Sequence, residues 1–589
     1  MLVFRLRKLG QDNKVFKMNH YLYIIFRRFD SICNISKNRV SKILLRNINL
    51  NPLITSLVLN SFFFILLLIF VTPVYRSNDD IILNLTSAGF FGNGNTEFLL
   101  FGNIILGKLL KLFYTISSQY NWYLLFLIFT QIVSHIVILY YLLMASNKYL
   151  TLFIYICLFS IFSINLFTEI SFSGSSLIAL SGALLIIISI LHKKIRNISD
   201  YILFFIFLIL SLIIRKDTFS IFCYLFLIFP IIYLKKWKEL LIIFLLAIIC
   251  NTALNALNKA CYKNIDPLQL EYQKARVLFQ DRNPVISEEE LTKMGWSKDD
   301  YALFASFKGI DDKFFNKYAV IKNSKLISFK FDFKRIFLSP YSLCLYFIND
   351  IYYYSLGFIV VFILFILMRK TRKFLFSLIS IWILLFFVLG IILVHYRLYI
   401  YFTILFYLCV VGGFFILQKN NLSYCQGIFK RFINYIAILL IFTISISLVK
   451  TIHSENKIRN NIYINYDNKV NELRNSSHKF LIIGEESEYF FGKLAIFHSF
   501  NNNIEERLKE LVIPTGWFIN TIQFDRIVNG PVIQELISGN IYVLGKDEEF
   551  FNSIKFFIYG HYNLKVDFVI QDSYKYSNVY RLINSVSIN

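Results

Sequence analysis

Residues 53–74 read LITSLVLNSFFFILLLIFVTPV, and the chain then turns polar as YRSNDD at 75–80. A helical run of this length crosses a hydrocarbon core of about 30 Å. Further apolar runs lie near 122–145, 149–166, 176–192, 200–214, 218–234, 239–257, 341–367, 374–394, 398–417 and 432–449. Lipid, rather than a buried core, is the solvent that suits them. The reading is a polytopic α-helical membrane protein with about eleven transmembrane helices.

Composition agrees. A soluble chain of 589 residues would divide into several domains with polar surfaces, yet 57% of this one is hydrophobic and 17% charged. The net charge of +24 could serve nucleic acid. The Lys and Arg, however, sit in short segments between apolar runs, where charge encodes topology, so no nucleic-acid partner is expected. Eight cysteines are scattered, mostly inside apolar runs, without a CxxC pair or a His/Cys cluster. Neither a disulfide framework nor a zinc site is indicated.

Charge also sets orientation. Residues 1–52 form a basic segment with Arg5, Arg7, Lys8, Lys14, Lys17, Arg27 and Arg28, and no signal-peptide pattern. Its expected place is the cytoplasm. Alternating from there, the inner links are 147–148, 192–196 (HKKIR), 235–238 (KKWK), 368–373 (MRKTRK) and 418–431. The outer segments are 75–121, 167–175, 215–217, 258–340 and 450–589. A membrane domain thus spans 53–449, followed by a small extracytoplasmic α/β domain at 450–589. Within that domain, strand-like runs at 480–483, 541–544, 566–570 and 579–582 alternate with helix-like stretches at 529–538 and 548–559. Segment 258–340 is too polar to span. Its capping boxes at Ser287/Glu290 and Ser297/Asp300, with helical periodicity over 312–322, point to short surface helices.

Candidate chemistry begins at Asp79 and Asp80. Adjacent carboxylates at a membrane surface are costly beside lipid. They become useful if one is a general base, or if both hold a divalent cation near a phosphate. Read without function, Asn-Asp-Asp is a solvated turn and helix cap. Residues 103–117 (NIILGKLLKLFYTIS) follow as an amphipathic helix suited to the interface plane; a plain tether between spans would look the same. Glu169 falls in a polar break, 165–176 (NLFTEISFSGSS), of a kind tolerated at membrane depth only where protein lines a cavity. Arg215 and Asp217 sit in one short outer link, His395 and Arg397 in another. Arginine there suits a phosphate or pyrophosphate, and snorkelling to headgroups is the competing use.

In this order of segments the chain resembles the GT-C superfamily of integral-membrane glycosyltransferases. That superfamily includes oligosaccharyltransferase catalytic subunits, protein O-mannosyltransferases and aminoarabinose transferases. Ser77-Asn78-Asp79-Asp80, 103–111 (NIILGKLLK), Asn121-Trp122-Tyr123, Ile214-Arg215-Lys216-Asp217, 295–301 (GWSKDDY) and Gly516-Trp517 are also similar to a poorly characterised group of bacterial multi-spanning proteins. The resemblance implies a bacterial cell-membrane location. It also implies a catalytic acid in the first outer loop, at the position of Asp79-Asp80, and a polyprenyl-phosphate sugar donor. The Trp-Trp-Asp signature of oligosaccharyltransferases is absent, as is a clear second acidic motif; Asp266, Asp299, Asp300, Asp311 and Asp312 are alternatives for it.

The expected function is transfer of a sugar from a polyprenyl-phosphate carrier to a cell-surface glycan or lipid hydroxyl. Asp79 or Asp80 would act as base, Arg215 and Arg397 would neutralise the leaving phosphate, and Asp217, Glu169 and His395 complete the expected substrate- and phosphate-binding set. Two other classes stay open: a polymerase or transporter of envelope polysaccharide, and a non-catalytic membrane protein of an envelope complex.

Overall fold

The computed structural model describes residues 51–327 with short interruptions, and parts of 443–584, where 458–478 and 484–511 are among the stretches outside the described residues. The spans expected at 341–367, 374–394 and 398–417, and most of 432–449, lie outside the described residues, as do His395, Arg397 and Gly516-Trp517. The chain divides into two compact units, Met1–Val58 and Leu59–Asn589. Of the first, residues 51–58 are described and form the beginning of a helix.

That helix, α1 (Pro52–Phe70), starts where helix chemistry favours a start: the Asn51 side chain accepts from Leu53 N at 2.9 Å, and a proline follows at the first helical position. Strand β1 (Val74–Tyr75) leads to α2 (Asn78–Ser87), which Ser77 caps, and then to α3 (Ile104–Ile116), which Asn103 caps. Next come α4 (Trp122–Ala145), the short α5 (Ile164–Thr168) and strand β2 (Glu169–Ile170), which pairs in parallel with β1. Helices α6 (Phe172–His192), α7 (Ile198–Ile214), α8 (Thr218–Phe226) and α9 (Trp237–Lys263) follow.

Among the described residues, four helices are long and apolar enough to cross a membrane: Pro52–Phe70, Trp122–Met144, Phe172–Leu191 and Trp237–Lys263. Their burial separates them. The apolar window of α6 is wholly buried, whereas those of α1 and α9 are 22% and 17% buried. Helix α6 is therefore the axis of this part of the bundle, and α1 and α9 turn apolar faces outward. Polar side chains on α6 are accommodated by partners. Ser176 meets Ser211 and Thr218, while Ser175 accepts from Gln131 at 3.1 Å. Most buried groups of this kind are retained with a partner.

The segments linking these helices collect at two ends. At one end, Asn103 N donates to Ile213 O, Lys216 Nζ to Leu100 O at 3.1 Å, and Tyr262 to Leu99 O at 3.2 Å. At the other, Tyr141 donates to Asp200 at 2.7 Å and Lys236 to Leu191 O. The contacts at the first end join three of the stretches that charge alternation assigned to one side, 75–121, 215–217 and 258–340.

After α9 the chain forms α10 (Gln269–Gln280), α11 (Glu288–Met294), α12 (Lys298–Ala305) and α13 (Lys317–Ser324). Both expected capping boxes are present, at the starts of α11 and α12. The third helix begins at Lys317, five residues later than its periodicity suggested; Asp311 instead holds a turn by accepting from Lys313 N and Phe314 N.

The C-terminal residues supply β3 (Lys479–Ile482), β4 (Val512–Pro514), α14 (Val532–Ile537), β5 (Ile541–Leu544), α15 (Glu548–Tyr562), β6 (Val566–Ser573) and β7 (Asn578–Asn584). The five strands make one mixed sheet in the order β4-β3-β5-β7-β6. Helix α15 packs on the α10–α13 segment: Tyr562 donates to Asp311 at 2.6 Å, His561 meets Asp300 at 2.9 Å, and Phe557 stacks on Phe315.

Candidate functional site

The site begins with Ser77. Its extended backbone and side-chain oxygen, which accepts from Asp80 N, open helix α2 immediately after β1. That places Asn78 and Asp79 in the first turn and swings Asp80 inward. Asp80 is fully buried. Its Oδ1 accepts from Phe172 N at 2.6 Å and from Tyr123 OH at 3.2 Å, and its Oδ2 accepts from the Ser77 hydroxyl at 2.7 Å. One carboxyl group thereby sits at the N-termini of two helices, α2 and α6, where the helix dipoles favour negative charge.

Burial nevertheless dominates. It pushes the Asp80 carboxyl up to about 7, against the lowering effect of the Phe172 and Ser77 hydrogen bonds, and the neighbouring charge of Asp79 adds to the rise. Tyr75 and Tyr114 border the same region, and burial drives both hydroxyls above their ordinary range, Tyr114 to about 12. Asp79, by contrast, is only half-buried.

The arginines meet this turn from two sides. Arg76, on the β1 side, approaches Asn165 at 3.5 Å and Glu169 at 3.9 Å, while its backbone N–H bonds Ile170 O. Arg215, at the end of α7, hydrogen-bonds the Ser173 hydroxyl and lies 5.2 Å over the Phe172 ring, with Asp217 at 4.0 Å. Phe172 therefore links the two features that sequence reasoning singled out: its backbone holds Asp80 and its ring carries Arg215. Lys216 is turned away to Leu100 O, and burial lowers its ammonium.

Glu169 and Asp217 each face an arginine at the edge of the site. Of the alternatives for a second acidic motif, Asp266 pairs with Lys317 at 2.7 Å, and Asp300 and Asp311 hold helix α15, as described above. Among the described residues no group of three or more His, Cys, Asp and Glu could hold a metal. Both oxygens of Asp80 already take donors, so a divalent cation at this turn would draw on Asp79.

Sequence reasoning met Arg76, Tyr123 and Phe172 inside longer stretches and gave none of them a role in the site. The two-residue pairing of β1 with β2 had no signal, and an aromatic opening a helix reads as packing. A second buried polar group also escaped it: His135, with Nδ1 donating to Gln131 O at 2.7 Å and Nε2 at 2.8 Å from the Ser163 hydroxyl. No protein-family model, curated protein or solved structure matches the chain.

Proposed function

We propose that the chain is a multi-pass membrane glycosyltransferase of the GT-C kind, moving a sugar from a polyprenyl-phosphate donor to a glycan or lipid hydroxyl at the outer face. The observation that carries this reading is the meeting of Asp80 and Arg215 on Phe172 and Ser173. It unites an acidic turn and a cation at one end of the helices, where a headgroup-depth substrate would lie.

The geometry favours a division of labour between the acids. Asp80 has both oxygens engaged and a raised proton affinity, which suits an anchor that fixes the turn. Asp79 is the more accessible and is the base of this reading. It takes the proton from the acceptor hydroxyl as that oxygen bonds the anomeric carbon. The carrier phosphate then leaves with the electrons of the broken carbon–oxygen bond, and Arg215 offsets the charge that develops. About eleven spans, a cytoplasmic N-terminus and an extracytoplasmic sheet layer complete the proposed architecture.

A non-catalytic envelope role has one observation in its favour: the hydrogen bonding of Asp80 is equally what a structural carboxyl would show. Complementation separates the two. Cells lacking the chain regain their surface glycan with the wild type and fail to with Asp79→Asn, at equal membrane abundance. Full restoration by the Asp79→Asn/Asp80→Asn double variant would end the catalytic reading.

A further inference from the structure

Two polar atoms close to the acidic turn are buried without a hydrogen-bond partner among the described residues: Oδ1 of Asn78 and Nε of Arg215. One is an acceptor and the other a donor. Asn78 opens α2, two residues before the carboxyl that grips Phe172, and Arg215 lies over the Phe172 ring. Asn78 thus belongs to the turn that Asp80 anchors to Phe172, and Arg215 lies against the same residue.

A buried acceptor without a donor destabilises a fold, and apolar replacements of similar size are tolerated or stabilising. The fold makes no use of the Asn78 carbonyl as a cap, because Ser77 caps α2. Arg215 likewise has its Nη1 bound to Ser173, while its Nε lies 4.0 Å from Asp217, too far for a hydrogen bond. Residues that oppose stability in this way are a mark of functional sites.

We infer that Asn78 is a specificity-determining residue: its side-chain carbonyl accepts a hydrogen bond from a hydroxyl of the sugar, while Arg215 Nε–H donates to the adjoining phosphate oxygen. This rests on the glycosyltransferase reading and adds to it the group that recognises the sugar rather than the carrier. A site built to pair a ligand hydroxyl discriminates strongly against ligands that lack it, because its own polar atom is then left unpaired.

The test uses the full chain in nanodiscs and follows its melting temperature with three probes: bare polyprenyl phosphate, polyprenyl-phosphate hexose and an anionic phospholipid. The wild type is expected to be stabilised by the bare carrier over the phospholipid, and further by the hexose-bearing carrier. Asn78→Leu, without ligand, is expected to melt at the same temperature as the wild type or higher. It should keep the shift given by the bare carrier and lose the increment due to the hexose.

Persistence of that increment in Asn78→Leu would overturn the inference and leave the transferase reading standing. So would a lower ligand-free melting temperature of Asn78→Leu, with Asn78→Ser as a smaller control, because it would show that the carbonyl serves the fold. Absence of any shift with either carrier would overturn the glycosyltransferase reading and the inference with it.

Discussion

Oδ1 of Asp80 accepts the backbone N–H of Phe172 at 2.6 Å, joining the first turns of two helices that lie far apart in the chain. The turn bearing Asp79 is therefore fixed to the most deeply buried helix of the described bundle. Asp80→Asn keeps an acceptor at this position and is expected to melt within a few degrees of the wild type. Asp80→Ala leaves Tyr123, Phe172 and Ser77 without their acceptor, at about 1–3 kcal/mol for each buried donor stranded. Thermal melts in detergent should order the three proteins accordingly, with Asp80→Ala lowest.

The same carboxyl gives stability a pH dependence. In the folded protein it holds its proton to about 7, whereas the ordinary value is 3.8. Between those values the folded state binds more protons than the unfolded one, so this group's contribution is complete below 3.8 and is lost as pH rises through about 7. The wild type should melt progressively lower across that interval. Asp80→Asn, which cannot titrate, should show a flatter profile; an equally steep one would remove Asp80 as the cause.

Gly107 on α3 sits against the backbone of Glu97. A Cβ there would come within 1.8 Å of the Glu97 carbonyl oxygen, so backbone must move. Gly107→Ala is expected to cost about 1–3 kcal/mol or more by overpacking. The contact between Lys111 on the same helix and Glu97, at 2.6 Å, should loosen with it, because Glu97 is the residue displaced. Reduced membrane abundance and a lower melting temperature are the readouts.

Sidedness is testable at the two ends of the bundle. In a cysteine-free background, Gln119→Cys should react with a membrane-impermeant maleimide in intact cells, because 75–121 is assigned to the outer face. Lys238→Cys, at the opposite end, should react only after permeabilisation. The reverse pattern would invert the topology and remove the candidate site from the compartment of the proposed substrate.

Much of the described bundle was legible because its causes are local. The run at 122–145 becomes α4 with the same limits, since apolar length alone determines it. The capping boxes at Ser287 and Ser297 are local hydrogen-bond patterns and form where they were read. Helix α6, in contrast, starts at Phe172 rather than 176: FSGSS looks like a polar break, yet Ser175 and Ser176 find partners on α4, α7 and α8. Helix α9 runs on to Lys263 through a polar last turn because Asn258 accepts from Ile104 N at 3.0 Å. Such tertiary partners have no local signature. The acids and Arg215 were likewise visible one by one, whereas Phe172, the residue that brings them together, was not.

In the proposed reaction Asp79 performs the chemistry and Asp80 holds it in place. The direct measurement is the rate of sugar transfer from a polyprenyl-phosphate donor by purified protein in nanodiscs, for the wild type, Asp79→Asn and Asp80→Asn. Asp79→Asn should lose about 100-fold or more, the usual worth of a positioned general base. Asp80→Asn should retain a measurable fraction of the wild-type rate. A wild-type rate for Asp79→Asn would contradict the account.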